Sequence, residues 1–180
     1  MTGRFVAVVG PSGVGKDSVM VALVAHDPRF VLARRVITRP GDAGGEAFEG
    51  VSEAEFQSRD AAGEFALSWP AHGLYYAIPA AVDAPLHNGQ DVLANLSRAV
   101  LPRAQARFAR FEVINLTAER SILARRLTAR GRETADQIVK RLDRAAVPLP
   151  SGIKAHNIDN SGALAQTVQA IMTLLYPVRA

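Results

Sequence analysis

The segment GPSGVGKDS, residues 10–18, constrains the fold more than any other part of the sequence. It follows a short apolar run, residues 5–9, that has the length and content of a buried strand. The helical spacing of KDSVMVALVAH begins inside it, at residues 16–26. Glycines in such a loop let successive N–H groups point at one phosphate, and the following helix adds its positive end. The sequence therefore predicts a strand, a phosphate-binding loop and a helix.

The ending of this loop departs from the usual pattern G-x-x-x-x-G-K followed by Ser or Thr. Asp17 takes the hydroxyl position and Ser18 comes one place late. We expect Lys16 to reach the transferred phosphate. Ser18 then binds phosphate or a water-mediated Mg²⁺, whereas Asp17 either favours the helix dipole or lies near the metal. The predicted nucleotide-binding residues here are Gly10, Pro11, Ser12, Gly13, Val14, Gly15, Lys16, Asp17 and Ser18, with Ser18 and Asp17 as the candidate metal ligands.

Strands and helices alternate at both ends of the chain, which predicts a single α/β domain with a parallel sheet wrapped by helices. Predicted strands cover 4–10, 30–38, 64–69, 74–78, 91–96 and 110–116, and predicted helices cover 16–26, 52–60, 118–130, 133–146 and 163–176. A capping box of Ser52 and Glu55 begins the second helix, and Thr117 is the predicted cap of the third. Short strands interrupt the alternation and predict an inserted subdomain at about 34–90, with the core at 1–33 and 91–180.

Composition excludes several classes of function. The chain has no cysteine, which excludes disulfides and thiolate chemistry, and its four histidines lack metal-ligand spacing. No apolar run approaches the roughly 20 residues that span a bilayer, and no secretory signal is visible, so we expect a cytoplasmic protein without a membrane partner. The net charge is +4, yet there is no basic run with interleaved aromatics, so no nucleic-acid partner is expected. The abundant arginines reflect either codon bias or phosphate binding.

The order of motifs resembles the guanylate kinase family over nearly the whole chain. The matching segments are VITRP, GEFALSWPAHGLYYAI, NGQDVLANLSRA and RRLTARGRETADQIVKRL. The resemblance implies a P-loop NTPase fold in which Arg39 and Tyr76 hold the acceptor phosphate. It also implies a helical lid at about 125–145, with Arg126, Arg130 and Arg141 closing on the ATP phosphates.

The guanine-reading positions of that family are changed in this sequence. In an ungapped match its Ser, Glu and Asp fall on Arg35, Leu67 and Ser97, and its second acceptor arginine falls on Asp42. A site that left buried guanine donors unpaired would lose much of its affinity. The acceptor is therefore predicted to be phosphorylated, but not to be GMP.

A second resemblance, again over the whole chain, is to the ribose 1,5-bisphosphate phosphokinases associated with bacterial phosphonate degradation. GPSGVGKDS, ITRP, LSWPAHGLYY, NLSRAVLP and RGRE carry it. It implies phosphorylation of the 1-phosphate of ribose 1,5-bisphosphate by ATP with Mg²⁺, giving 5-phospho-α-D-ribosyl 1-diphosphate (PRPP). A phosphate nucleophile with a second pKa of ~6 is already anionic at pH 7, so no general base is required. One departure is Phe48, near which a polar residue is expected.

These arguments give a set of site predictions. The catalytic residues are Lys16, Arg130 and Arg141, Arg126 binds the nucleotide, and the substrate-binding residues are Arg35, Arg39, Tyr76, Asn95, Ser97 and Arg98. Asn95 either binds the metal through water or contacts the sugar hydroxyls, and Arg98 either binds phosphate or is a surface residue at a helix start. The alternatives for function are a guanylate kinase-type nucleoside monophosphate kinase and a non-catalytic binding module. The intact Lys16 argues against the module, and no pattern indicates an oligomeric state.

Overall fold

The computed structural model describes residues 3–40, 47–131, 134–144 and 147–177, with the side chain of Arg144 left out. The strands in these ranges are β1 (Phe5–Val9), β2 (Phe30–Leu32), β3 (Val36–Ile37), β4 (Glu49–Gly50), β5 (Phe65–Ala71), β6 (Leu74–Pro79), β7 (Asp91–Asn95), β8 (Phe111–Thr117) and β9 (His156–Asp159). The α-helices are α1 (Lys16–His26), α2 (Glu53–Ala61), α3 (Asp83–His87), α4 (Leu101–Arg107), α5 (Arg120–Arg130), α6 (Ala135–Arg144) and α7 (Leu164–Leu175). Asp42 lies outside the described residues.

A parallel sheet of five strands forms the centre of the protein. Its order is β2-β7-β1-β8-β9, and β1 is buried along its whole length. Alternate β1 side chains point to opposite faces: Phe5, Ala7 and Val9 join one apolar cluster with α4, and Val6 and Val8 join the other with α1, α5 and α7. Helices therefore cover both faces, which confirms the predicted α/β class. None of the described helices has the length and apolar content needed to cross a membrane.

A second sheet of four strands is built from residues between 36 and 79, in the order β4-β3-β6-β5. β5 and β6 form an antiparallel hairpin in which Trp69 lies opposite Tyr76 and Ala71 opposite Leu74. The predicted pairing of these two strands is confirmed. Ser52 is also the N-cap of α2, as predicted, because its hydroxyl accepts a hydrogen bond of 3.2 Å from the backbone N–H of Glu55.

Two predictions about secondary structure are wrong, and one strand of the parallel sheet was missed. The single strand predicted at 30–38 is two strands, because β2 pairs with β7 in the parallel sheet and β3 pairs with β4 and β6 in the other. Thr117 does not cap a helix: it ends β8, and Glu119 precedes α5 as its N-cap. The fifth parallel strand, β9, was not predicted, because its alternating half-buried and exposed residues lack an apolar run.

The parallel sheet brings four chain segments to one edge. The carboxyl ends of β1, β7, β8 and β9 are continued by the phosphate loop (Gly10–Ser18), by Leu96, by Ala118 and by Asn160. In open α/β sheets, ligands bind at this edge. The fold thus places the predicted loop where chemistry is expected.

Candidate active site

The phosphate loop needs glycine for both conformation and space. Gly10 and Gly15 have φ of 151° and 95°, a range that side chains rarely adopt. A Cβ on Gly10 would lie 2.6 Å from the Leu116 carbonyl oxygen, and one on Gly15 would lie 2.8 Å from the Asn160 amide nitrogen. Gly15 is the N-cap of α1, and no side chain caps this helix. Its first N–H groups can therefore serve an anion.

Lys16 is held against the loop. Its Nζ donates to the carbonyl oxygens of Gly10 at 3.0 Å and Pro11 at 3.3 Å. Burial lowers the pKa of its ammonium to about 8; Asp17 opposes this change, and the charges of three arginines add to it. These arginines are Arg35, Arg130 and Arg98. An anion bound beside Lys16 would stabilise its charged form.

A cleft of about 700 Å³, here called the arginine cleft, opens between the phosphate loop and the β5–β6 hairpin. It is lined by Gly10, Pro11, Ser12, Lys16, Arg35, Trp69, Ala71, His72, Tyr76, Asn95, Leu96, Ser97, Arg98, Ala99, Arg141 and Val147. The lining contains five of the six predicted substrate-binding residues, all except Arg39. It contains Lys16 and three arginines, and none of these lining residues carries a carboxylate. This arrangement suits a polyanion.

Burial in this cleft disfavours the charged forms of Arg35 and Arg98. Burial lowers the pKa of the Arg35 guanidinium to about 10; Tyr76 and Asp17 oppose the change and Arg39 adds to it. Arg35 Nη1 donates to the Asn95 carbonyl oxygen at 3.3 Å, and the guanidinium carbon lies 5.1 Å from the centre of the Tyr76 ring. Burial also lowers the pKa of Arg98, which donates to the Val147 carbonyl oxygen. Both side chains are thus held in place by the fold.

Arg39 lies outside the arginine cleft. It lines a neighbouring pocket of about 460 Å³ together with Glu53 and Glu55. Its guanidinium carbon lies 4.2 Å from the centre of the Phe48 ring, and Phe48 is buried. Phe48, where the sequence led us to expect a polar residue, therefore packs beneath Arg39.

A third cavity, a pocket of about 470 Å³ here called the Asn160 pocket, opens from the phosphate loop. Its lining is Gly13, Gly15, Ser18, Arg126, Ala129, Arg130, Asn160, Gly162 and Leu164. Arg126 joins α5 to the loop by donating to the carbonyl oxygens of Val14 at 3.2 Å and Asn160 at 2.8 Å. The buried Asn160 amide donates to the same Val14 oxygen at 2.7 Å and accepts from the Thr167 hydroxyl at 2.7 Å.

The three predicted lid arginines are divided between two of these cavities. Arg126 and Arg130 line the Asn160 pocket, whereas Arg141 lines the arginine cleft. Arg141 Nη1 donates to the Ser12 hydroxyl at 3.1 Å, which joins α6 to the loop. Arg141 is therefore placed to act on the arginine-cleft side of the loop.

The two predicted metal ligands, Asp17 and Ser18, are neighbours in the first turn of α1 and have different contacts. Asp17 accepts from the Asn95 amide at 3.4 Å, and Ser18 lines the Asn160 pocket. Among the described residues, no group of three or more His, Cys, Asp or Glu side chains could hold a metal ion. One carboxylate and one hydroxyl beside a phosphate site do fit Mg²⁺, which usually keeps several waters and takes its other ligands from phosphates.

Two residues of the site were missed in the sequence. Asn160 directly follows β9, which was not predicted. The turn-forming segment NSG, which begins at Asn160, was the signal in the sequence that a strand ends there. His72 belongs to LSWPAHGLYY but was given no role, although it lines the arginine cleft.

No protein-family model matches the chain. The ribose 1,5-bisphosphate phosphokinase PhnN of Ruegeria sp. is 50% identical over 179 residues, which cover 99% of this chain and 94% of that protein. The protein of the same name from Agrobacterium fabrum is 46% identical over 173 residues, covering 94% of each chain. The crystal structure of guanylate kinase from Anaplasma phagocytophilum has a TM-score of 0.65 at 18% identity, covering 97% of this chain and 85% of that one. This last likeness confirms the predicted guanylate-kinase-like fold.

Proposed function

The chain belongs to the ribose 1,5-bisphosphate phosphokinase family, as its motifs predicted, and we propose that it transfers the γ-phosphoryl group of ATP to the 1-phosphate of ribose 1,5-bisphosphate, giving PRPP. The observation that carries the proposal is the arginine cleft, in which four cationic side chains line the space beside the phosphate loop. A sugar with a phosphate at each end needs positive charge and does not need groups that read a base.

ATP is proposed to bind along the phosphate loop, with its nucleoside in the Asn160 pocket. The loop supplies backbone N–H groups and the N-terminus of α1 for the phosphates. Arg126 and Asn160 both bond the Val14 carbonyl oxygen, so they hold the pocket and the loop together. Arg130 lines this pocket and adds charge near Lys16, whose pKa it helps to lower. This placement leaves the arginine cleft for the acceptor.

The acceptor's 1-phosphate is proposed to lie beside Lys16 and Arg141. One of its oxygens attacks the γ-phosphorus, the bond from that phosphorus to the β–γ bridging oxygen breaks, and ADP leaves with the electron pair. The nucleophile is already an anion, so the protein has to align two polyanions and neutralise the charge between them. Arg35 and Arg98, with Tyr76, Asn95 and Ser97 around them, would hold the rest of the acceptor.

Mg²⁺ would supply further positive charge between the two substrates when bound. We propose that Asp17 and Ser18 hold it through water or directly, together with phosphate oxygens. Because the Asn95 amide donates to Asp17, this amide orients the carboxylate. Asn95 would thus position the Asp17 carboxylate for the metal as well as lining the cleft.

The geometry does not favour guanylate kinase activity. Leu67, at one guanine-reading position of the resemblance, is 4% exposed and belongs to the apolar core. Arg35 stands at a second guanine-reading position. Its guanidinium has only N–H donors, and the guanine edge that it would face also carries donors. A GMP base would find too few acceptors here.

Measuring ADP release with ribose 1,5-bisphosphate and with GMP tests the proposal, and ³¹P NMR of the product identifies a diphosphate. We expect turnover with the sugar and at most weak turnover with GMP. Strong turnover with GMP and none with the sugar would refute the proposal.

We assign the reaction to PRPP formation during phosphonate catabolism, in the cytoplasm. Growth of a deletion strain on a phosphonate, with and without the gene, tests this role.

A further inference from the structure

His72 is the only non-glycine residue with a positive φ in the part of the chain that the structure describes. Its φ is 54°, and Gly73 after it has a φ of 75°. The two residues form the turn between β5 and β6, since Ala71 and Leu74 on either side are paired. Two-residue turns with two positive φ angles favour Asn, Asp or Gly at the first position. Histidine is therefore not the residue that this turn favours most.

The hairpin holds His72 in a fixed position. The Trp69 and Tyr76 rings, paired across the two strands, stack with their centres 5.7 Å apart and an angle of 13° between their planes. Trp69 is 5% exposed, and Arg103 braces the same strand by donating to the Ser68 carbonyl oxygen at 2.7 Å. A strained residue on such a rigid support is typical of functional sites.

The fold makes no evident use of the His72 side chain. The residue is exposed, and its imidazole has no recorded hydrogen bond or ion pair with any other described residue. Instead it lines the arginine cleft, on the hairpin side, while Lys16 and Ser12 line the loop side. Its location thus points to a ligand in the cleft.

We propose that His72 binds the acceptor phosphate that is not phosphorylated in the reaction, the 5-phosphate of ribose 1,5-bisphosphate. This inference rests on the proposed function. The reacting phosphate has to lie beside the loop and Lys16, so an acceptor with phosphates at both ends extends its other phosphate away from the loop. The hairpin forms that side of the cleft, and an imidazole N–H there can donate to phosphate oxygens.

The variants His72→Asn and His72→Gly test the proposal without disturbing the turn, since both residues adopt positive φ more readily than histidine. We expect both variants to be at least as stable to heat as the wild type. We expect KM for ribose 1,5-bisphosphate to rise about tenfold or more, the effect of losing a hydrogen bond to a charged group, while KM for ATP changes less than about twofold. His26→Asn is the matched control, because His26 ends α1 about 15 Å from Lys16 and should leave both constants unchanged.

Two analogues of the acceptor, each lacking one of its phosphates, identify which phosphate is bound. The inhibition constant of ribose 5-phosphate should rise about tenfold in His72→Asn, as expected for a lost charge-assisted hydrogen bond, whereas that of ribose 1-phosphate should stay the same. An unchanged KM for the bisphosphate, equal effects on both inhibitors, or a loss of stability with a rise in both KM values would overturn the inference. If the wild type fails to use ribose 1,5-bisphosphate at all, the proposed function fails. If the wild type uses ribose 1,5-bisphosphate and the His72 variants have the same constants as the wild type, the proposed function stands and only the role of His72 is wrong.

Discussion

Replacing Lys16 by Met should inactivate the enzyme and stabilise its fold in a pH-dependent way. Burial lowers the pKa of Lys16 from its ordinary value of 10.5 to about 8. The folded state therefore loses the proton more readily than the unfolded state. Between pH 8 and 10.5 the unfolded chain binds more protons, so stability rises with pH, and the full cost of the charge is present below pH 8. Methionine, which carries no charge, avoids this cost at every pH.

The size of the effect follows from the pKa difference. A change of about 2.5 pKa units corresponds to roughly 3 kcal/mol at pH 7. At pH 9.5 about 1.4 kcal/mol of it remains, because the unfolded lysine is then losing its proton too. These are upper bounds, since Lys16 is half-buried beside an open cleft. The lost hydrogen bonds to Gly10 and Pro11 cost roughly 1 kcal/mol each, but this cost is the same at both pH values.

Urea unfolding of the wild type and Lys16→Met at pH 7 and pH 9.5 measures the effect. The stability of the variant relative to the wild type should be higher at pH 7 than at pH 9.5 by up to about 2 kcal/mol. Lys140→Met, an exposed lysine on α6, should show no such pH dependence. The same Lys16 variant should lose turnover by at least ~100-fold, because positive charge beside the transferred phosphate is gone. A stability difference that is equal at both pH values would refute the inference that burial destabilises the charged form of Lys16.

Three further outcomes follow from the structure. Binding of ATP should raise the pKa of Lys16, so protons should be taken up at pH 8; calorimetry in two buffers of different ionisation enthalpy measures this uptake, and none would contradict the placement of Lys16. Asn160→Ala should raise KM for ATP more than KM for the sugar and cost roughly 2 kcal/mol of stability, because the Thr167 hydroxyl loses its 2.7 Å acceptor and the Val14 carbonyl oxygen loses a donor; steady-state kinetics and urea unfolding check this. Asp91→Ala should cost roughly 3 kcal/mol by leaving Arg4 unpaired, with kcat unchanged.

Asp91 is a useful contrast to the site residues. It begins β7, at the opposite end of the strand from Asn95, and is 3% exposed. Arg4 Nη2 and the Tyr176 hydroxyl both donate to its Oδ2 at 2.6 Å, so the carboxylate joins the sheet to the end of α7. A loss of kcat in the variant, measured below its melting temperature, would show that this network also acts on the site.

Much of the fold was readable in the sequence because the signals are local. Residues 5–26 combine an apolar run, a glycine loop and helical spacing, and each of these depends on neighbours within a few positions. The charge of the acceptor site was also visible, since Arg35 stands where a base-reading site needs a hydroxyl, and Arg98 directly follows Ser97, which replaces an acid. The strand at 156–159 was missed because it lies at an edge of the sheet, where alternating exposure replaces an apolar run.

The sequence by itself determined the parallel-sheet class, the phosphate loop and the cationic character of the acceptor site. Only the tertiary structure decided how the arginines divide: Arg141 lines the arginine cleft, Arg126 and Arg130 line the Asn160 pocket, and Arg39 lies in a neighbouring pocket. It also decided that His72 enters the cleft on a strained turn. The physical reason is that these features depend on interactions over different separations along the chain. Backbone hydrogen bonding and periodicity act over a few residues, whereas the position of a side chain in a cavity depends on how separate sheets and helices pack against each other.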